Sequence, residues 1–407
     1  MPRLADAASL RDTAVALAVT LAIQIFTSLA ATAAAVLAPV IGRDVGVAPR
    51  LVGVFVGLVY AGSMLASLSA GHFIQRYGPI RTSQVAVMIC AAGLGAVAMT
   101  TAQWVALLLL AALIIGFGYG PITPASSDVL ARTAPPSRMA LTFSIKQTGV
   151  PAGTAIAGAL LPILADRFGW RVAFAGVVVG GVIITLAAQS TRTTLDSDRP
   201  LHTAPFSLKA LLAPLRTLVR HAALVELSVA AFAYAAVQVC LTSFLVVYLT
   251  ETLGFGLVGA GLALTAANVG GIVGRIVWGA VADQWMPPRR VLAMLGLIAA
   301  CCGYVAAIFD ETWPRAVLLA VCAVFGATAI GWNGVQLSEV ARQAPPGQAG
   351  PITGATGFIA FGGVVIGPPL FAALSAATGS YRIPFAVFAT ASLAFGLLLL
   401  LRRGPRQ

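Results

Sequence analysis

Read for its apolar runs, the chain divides at polar, Gly/Pro or arginine punctuation into twelve long segments: 13–41, 50–74, 82–102, 104–132, 139–165, 171–190, 221–251, 257–283, 289–309, 315–340, 350–376 and 382–402. A bilayer core about 30 Å thick is crossed by about 20 apolar helical residues, so each run predicts one membrane-spanning helix. The first could pass for the apolar core of a signal peptide. Ala14 to Val40 is about twice as long as such a core, however, and a counterpart run recurs later, so it reads as a span. Between the sixth and seventh runs lies one long polar stretch, 191–220, with Asp196, Asp198, Pro200, Pro205 and five basic residues. It reads as a linker, and its second part, Leu208 to Leu218, as a short basic amphipathic run suited to a membrane surface.

Composition narrows the class. The 407 residues are 59% hydrophobic and 9% charged, with a mean hydropathy of +0.94, whereas soluble domains are about 25% charged. A soluble enzyme, a nucleic-acid module and a disordered scaffold are therefore excluded. The expected fold is an all-α polytopic membrane protein of two six-helix bundles, 1–190 and 221–407, joined by the linker 191–220. A net charge of +12 would suit a nucleic-acid partner, but the charges sit between apolar runs, on no segment that could hold a duplex, so none is expected. Only Lys146 and Lys209 are lysines against 23 arginines, a bias typical of a GC-rich bacterial genome, which points to a bacterial inner membrane.

Orientation follows from the same residues. With the N-terminus in the cytoplasm, Arg3, Arg11, Arg76, Arg81, Arg132, Arg138, Arg192, Arg199, Lys209, Arg216, Arg220, Arg289, Arg290, Arg342, Arg402, Arg403 and Arg406 lie inside. Arg43, Arg50, Arg167, Arg171, Arg315 and Arg382 lie outside. Seventeen against six places both termini in the cytoplasm. The five cysteines, Cys90, Cys240, Cys301, Cys302 and Cys322, fall inside apolar runs without metal or disulfide spacing, and His72, His202 and His221 share no helical face. No metal and no cofactor is expected.

The second half repeats the first at an offset of 208 to 211 residues. Gly71-His-Phe-Ile-Gln75-Arg76-Tyr-Gly78-Pro-Ile-Arg81 aligns with Gly279-Ala-Val-Ala-Asp283-Gln284-Trp-Met-Pro-Pro-Arg289, and Ala131 to Pro136 with Ala341 to Pro346. The Trp170-Arg171 region aligns more loosely with Tyr381-Arg382. Six spans per half give the halves one orientation, as parallel repeats. With its six-plus-six spans, long central loop and G-x-x-x-D-R-x-G-x-x-R type signature after spans two and eight, the chain resembles the major facilitator superfamily along essentially its whole length. The signature's acid is Gln75 in the first copy and its arginine is Gln284 in the second. The resemblance implies alternating access and a central cavity lined by spans one, four, seven and ten.

Helical spacing supplies candidates for that cavity. Span one carries Thr20, Gln24, Ser28 and Thr32 at every fourth residue; span seven has Tyr234, Gln238 and Thr242; span ten has Trp332, Asn333 and Gln336; span four has Tyr119 and Thr123. Such residues also serve as helix-to-helix glue. Charges inside a membrane are a sharper signal, each costing at least about 2.5 kcal/mol at a helix centre. Lys146 lies eight residues after Arg138 and Arg275 eight before Asp283, each about 12 Å inside its helix end. The resemblance implies that spans five and eight meet, so two cations without an acid at their depth point to an anionic substrate, a carboxylate above all. Asn268 to Gly279, with Arg275, is similar to the N-x-x-G-R-x-x-x-G pattern of monocarboxylate and oxalate/formate branches, where that arginine binds the substrate carboxylate. Lys146-Gln147-Thr148-Gly149 is similar to bacterial organic-anion permeases. Snorkelling for Lys146 and a structural tie for Arg275 stand as alternatives.

Asp128 precedes Arg132 by four residues and Glu339 precedes Arg342 by three, one-face spacings. With Glu226 and Asp283 these acids suit a cytoplasmic latch to Arg76, Arg81, Arg289 and Arg290, with Gly71, Gly78 and Gly279 in the signature turns. Ordinary interfacial pairing is the alternative. Glycines in spans five and eleven suit helices that slide. Neither lysine is followed by Ser or Thr, so there is no P-loop. The expected function is a monomeric secondary transporter of a small organic anion, with a proton as candidate co-substrate. An exporter of hydrophobic drugs or lipids is the runner-up; a membrane enzyme or sensor lacks a catalytic cluster.

Overall fold

Within hydrocarbon every peptide N–H and C=O must be paired inside the segment that carries it, and helices of Ala, Leu, Val and Gly meet that demand with apolar side chains outward. The computed structural model describes residues 2–46, 51–101, 106–197, 207–255 and 257–401, and all regular structure among them is helical. Among the described residues, twelve stretches are long and apolar enough to cross a membrane. In order they are Arg11–Val36, Gly53–Tyr77, Pro79–Ala98, Ala106–Thr133, Pro136–Phe168, Trp170–Leu195, Ala222–Glu251, Gly259–Gln284, Pro288–Ala307, Arg315–Gln343, Ala349–Thr378 and Arg382–Leu401, here spans one to twelve. The protein is an all-α polytopic membrane protein, as its apolar runs predict. Arg50, Asp198, Arg199, Pro200, His202, Pro205, Arg402, Arg403, Arg406 and the side chain of Arg3 lie outside the described residues.

The first run stops at Val36 and resumes as a short helix Ala38–Val45, and three spans that the sequence pattern reads as unbroken are interrupted within their length. Span four is Ala106–Tyr119 followed by Ile122–Thr133, because Pro124 has no N–H for the Gly120 carbonyl. Span five is Met139–Gln147 followed by Gly149–Phe168, where Pro151 leaves the Gln147 carbonyl without its helical donor in the same way. Span ten is Arg315–Ala329 followed by Asn333–Gln343, with Gly331 at the break. Each interruption frees carbonyls inside the membrane, and at span ten these are taken by side chains from span eight. Trp278 Nε1 donates to Ala327 O at 3.0 Å and Arg275 Nε to Ile330 O at 3.1 Å. Spans eight and ten come this close because Gly270 and Gly274, one turn apart, face the Ala323 and Ala327 carbonyls, where a Cβ would collide.

The chain forms two compact units: Met1–Pro135 with Lys146–Arg220 and Ala344–Phe358, and Pro136–Ile145 with His221–Gln343 and Ile359–Gln407. The start of span eleven thus belongs with the first unit and the start of span five with the second.

Within each unit one staple recurs. In the first, Asp44 follows span one and accepts from Arg171 Nη1 at 2.6 Å and Trp170 Nε1 at 3.2 Å. Arg171 also donates to Ala98 O at 3.1 Å and Thr100 O at 3.0 Å at the end of span three, with its guanidinium 4.2 Å from the Trp170 ring centroid. In the second, Tyr381 donates to Glu251 at 2.9 Å, at the end of span seven, and Arg382 to Phe309 O at 2.9 Å, beyond span nine. The aromatic-arginine pair opening spans six and twelve therefore ties the same two neighbours in both units. Arg171→Ala and Arg382→Ala are each expected to lower the thermal midpoint, whereas Arg167→Ala and Arg315→Ala, exposed at the end of span five and the start of span ten, leave it unchanged. Hydrogen bonds from Arg171 and Trp170 hold the Asp44 carboxyl below the usual carboxylate range. Its contribution is therefore complete above a pH of about 3.9 and lost as pH falls through the depressed value. The midpoint gap between wild type and Asp44→Asn is expected to be full at neutral pH and to close in acid.

Candidate functional site

In the first unit the site begins with Gln24 on span one, which is fully buried. Its Oε1 accepts from Lys146 Nζ at 2.6 Å and lies 3.5 Å from Thr123 Oγ1 on span four. Lys146, 1% exposed, also donates to Gln147 Oε1 at 3.3 Å. The break after Gln147 brings both residues to span one, where Gly149 and Gly153 take the place of side chains that would strike Gln24 and the Ile25 carbonyl. The other polar groups of span one are already engaged. Thr20 and Thr32 donate to carbonyls of their own helix, at 2.7 Å to Ala16 O and 2.9 Å to Ser28 O, and Ser28 donates to Val150 O at 2.8 Å. Among the described polar groups of span one, Gln24 Nε2 is the buried donor left without a partner. Leaving such a group unmatched costs about 1–3 kcal/mol, so it is a position for an acceptor.

In the second unit Gln238 repeats the role of Gln24. Its Oε1 accepts from Trp332 Nε1 and Asn333 Nδ2, both at 3.1 Å, just after the break in span ten. Asn333 also donates to Ile330 O at 3.2 Å, the carbonyl that Arg275 uses. Arg275, 2% exposed, thus joins the network of Asn333, Gln238 and Trp332 through one shared oxygen. Gln336 is buried beside this segment with its Nε2 unpartnered. Two other candidates point elsewhere. Tyr234 donates to Leu292 O at 3.0 Å and meets the Trp332 ring in a T-shaped contact, and Asn268 donates to Leu264 O of its own helix at 3.0 Å.

The candidate latch residues sit at helix starts. Asp283 accepts from the backbone N–H groups of Ala140 at 3.0 Å and Leu141 at 2.7 Å, so it caps span five from span eight, and pairs with Arg342 at 3.2 Å. Gly279 faces Ser144 on the same short helix. Asp128 accepts from the Gly350 N–H at the start of span eleven and pairs with Arg132 at 3.2 Å, while Gly71 lies against Pro351. Of the acid–arginine pairs expected there, Arg289 does bind Glu226, together with the Leu399 carbonyl. Arg81 instead reaches Gln84 at 3.4 Å, Arg76 lies by the Tyr77 ring, and Glu339 accepts from Gln343 at 2.9 Å.

With this geometry in view, residues 20–368 match the family described as the Major Facilitator Superfamily. The chain belongs to that superfamily. Among its relatives are an uncharacterized MFS-type transporter of Mycobacterium tuberculosis, 24% identical over 77% of this chain and 68% of that one, and the gentisate transporter of Corynebacterium glutamicum, 27% identical over 71% and 66%. The hexuronate transporter of Bacillus subtilis is 27% identical over 37% and 36%. The crystal structure of the E. coli fucose:proton symporter superposes with a TM-score of 0.75 over 97% of this chain and 100% of that one, at 17% identity, which speaks for the fold alone.

One residue at the superfamily signature escapes sequence reasoning. Asp196, placed in the linker by its polarity, is 3% exposed and accepts from the Ile80 N–H at 2.8 Å and the Arg81 N–H at 3.1 Å, with Arg192 at 3.5 Å. It caps span three from 116 residues away, in contact with Gly78, whose φ of +89° and missing Cβ the carboxylate requires. The only hint in the sequence is Gln75: the signature's acid is absent where a helix start still needs one. Asp196→Ala removes a buried carboxylate from two N–H groups and an arginine, and is expected to cost about 2–4 kcal/mol. Asp196→Asn, which keeps one acceptor oxygen, is expected to cost less. Thermal unfolding of the purified protein decides, and equal midpoints for all three would remove the cap from the account.

Proposed function

We propose that this superfamily member is a secondary transporter of a small organic anion, a mono- or dicarboxylate, in a bacterial inner membrane, and that Lys146 and Arg275 bind the anion. The observation that carries the reading is the Lys146–Gln24 pair: a buried ammonium held by neutral amide oxygens, beside a buried amide donor with no acceptor. A carboxylate supplies both a countercharge and a second oxygen. The relatives' named substrates, gentisate and hexuronate, are carboxylates too. Gln147, Gln238, Trp332, Asn333 and Gln336 complete the polar lining under this reading, and Ser28, Tyr234 and Asn268 support the helices that carry it.

Two bundles, 1–190 and 221–407, move about the linker in alternating access, both termini being cytoplasmic by the excess of arginine on that side. Asp283 and Asp128, which cap the first turns of spans five and eleven, are the latch that each cycle breaks and remakes. A proton carried with the anion travels on the substrate carboxyl or on Lys146.

The test is thermal stabilisation of the purified protein by gentisate, hexuronates and simple monocarboxylates. A bound ligand at about a hundred times its dissociation constant stabilises by about 2.7 kcal/mol. That gain is expected in wild type and absent in Lys146→Ala and Arg275→Ala. Stabilisation of all three proteins alike by cationic or neutral amphiphiles would sink the anion reading and favour an exporter of hydrophobic compounds. Gln24→Glu places a carboxylate against Lys146 from within. It is expected to fold, to lose its response to carboxylates and to stop transport, whereas Gln24→Ala weakens binding without abolishing it.

A further inference from the structure

The linker helix Leu208–Arg220 has no part in substrate binding and has its own chemistry. Lys209, Arg216 and Arg220 are spaced by seven and four residues, so they fall within about 40° of arc on one face. All three are exposed, and none makes a hydrogen bond or ion pair among the described residues. The opposite face carries Leu211, Leu215 and Leu218, of which Leu218 is 1% exposed, and the helix packs on span two. Only His221 separates its last residue from the first helical residue of span seven, Ala222. The helix therefore lies at the level where a membrane span begins. Val219, an apolar side chain 66% exposed, stands beside Arg220 at that level. A cationic stripe with an apolar neighbour at the bilayer surface matches the boundary between phosphate headgroups and acyl chains, not an aqueous partner.

We propose that this helix is a binding site for anionic phospholipid, with Lys209, Arg216 and Arg220 holding the headgroup phosphates of the adjoining leaflet. The site takes phosphatidylglycerol in preference to a zwitterionic lipid, because only the former brings net negative charge to three cations that have no acidic partner among the described residues. Its position gives it a consequence for the fold. The helix belongs to the first compact unit, and the second resumes at His221, so a lipid that fixes the helix fixes the first unit's end of the covalent connection.

The experiment titrates phosphatidylglycerol against phosphatidylcholine into the purified full chain, with bound lipid counted by native mass spectrometry and the thermal midpoint followed in parallel. Wild type is expected to bind the anionic lipid selectively. Each charge removed by Lys209→Gln, Arg216→Gln or Arg220→Gln is expected to weaken that binding by about fivefold, and the triple variant by about a hundredfold at low salt. Arg216→Lys/Arg220→Lys retains binding, and Arg167→Gln/Arg315→Gln, which removes exposed charge at other helix ends, leaves it unchanged. The triple variant's midpoint in phosphatidylcholine alone reports that it is folded. The proposal is overturned by equal binding of the two lipids to wild type, by a triple variant that keeps its selectivity, or by a control pair that loses as much as the linker variant.

Discussion

A membrane interior offers no water to receive a proton donor, and that constraint decides where this chain is regular and where it is not. Spans built from Ala, Leu, Val and Ile satisfy their own backbones and have little else to do. The candidate functional residues lie where that self-sufficiency fails. Pro151 strips the Gln147 carbonyl of its helical donor beside Lys146, and the stop at Ala329 leaves Ile330 O free for Arg275. A buried cation needs oxygen atoms. In span ten the broken backbone supplies one; in span one the amide of Gln24 does so, because that helix is intact and has no carbonyl to spare.

The same constraint explains three carboxylates that cap helices not their own. A helix start presents unpaired N–H groups and a partial positive charge, and a carboxylate answers both. Asp283 serves span five, Asp196 serves span three, and Asp128 serves span eleven. Only Asp283 stands at the signature position. In the first copy of the repeat that position is Gln75, and two acids from elsewhere in the chain meet the needs of nearby helix starts. The repeat conserves the requirement more closely than the residue. The aromatic-arginine staples follow the same logic, since Trp170-Arg171 and Tyr381-Arg382 share bonds while the acids they meet, Asp44 and Glu251, belong to no common motif.

Twelve spans are legible in the sequence because hydrocarbon thickness sets one length scale and the apolar runs exceed it. The breaks in spans four, five and ten are less so: a proline inside an apolar run is as often tolerated as disruptive, and Gly331 gives no signal among 42 glycines. Lys146 and Arg275 stand out because buried charge is costly wherever it occurs. The roles within a polar stripe do not stand out. Periodicity puts Thr20, Gln24, Ser28 and Thr32 on one face, but only the structure separates hydroxyls that bond to helix carbonyls from the one amide that keeps a free donor. A short hydroxyl reaches its own helix's carbonyls and a glutamine reaches past them. Asp196 was hidden by its distance along the chain, since polarity in a linker looks the same whether a carboxylate is solvated or buried against a turn.

The choice of amide over acid beside Lys146 bears on how the proposed carrier would release its cargo. An aspartate or glutamate at position 24 would neutralise the ammonium permanently, and a substrate carboxylate would then have to displace a tethered rival of very high effective concentration. Two amide oxygens do less. They supply hydrogen bonds but no countercharge, so the site keeps its attraction for an anion without being too unstable to persist empty. The opposite extreme, a lysine with no acceptors, would bind its ligand too tightly to let go, because removal would strand a bare charge in the membrane. Neutral partners place the empty and loaded sites closer in free energy. A transporter that must visit both states in each cycle needs that balance more than it needs affinity.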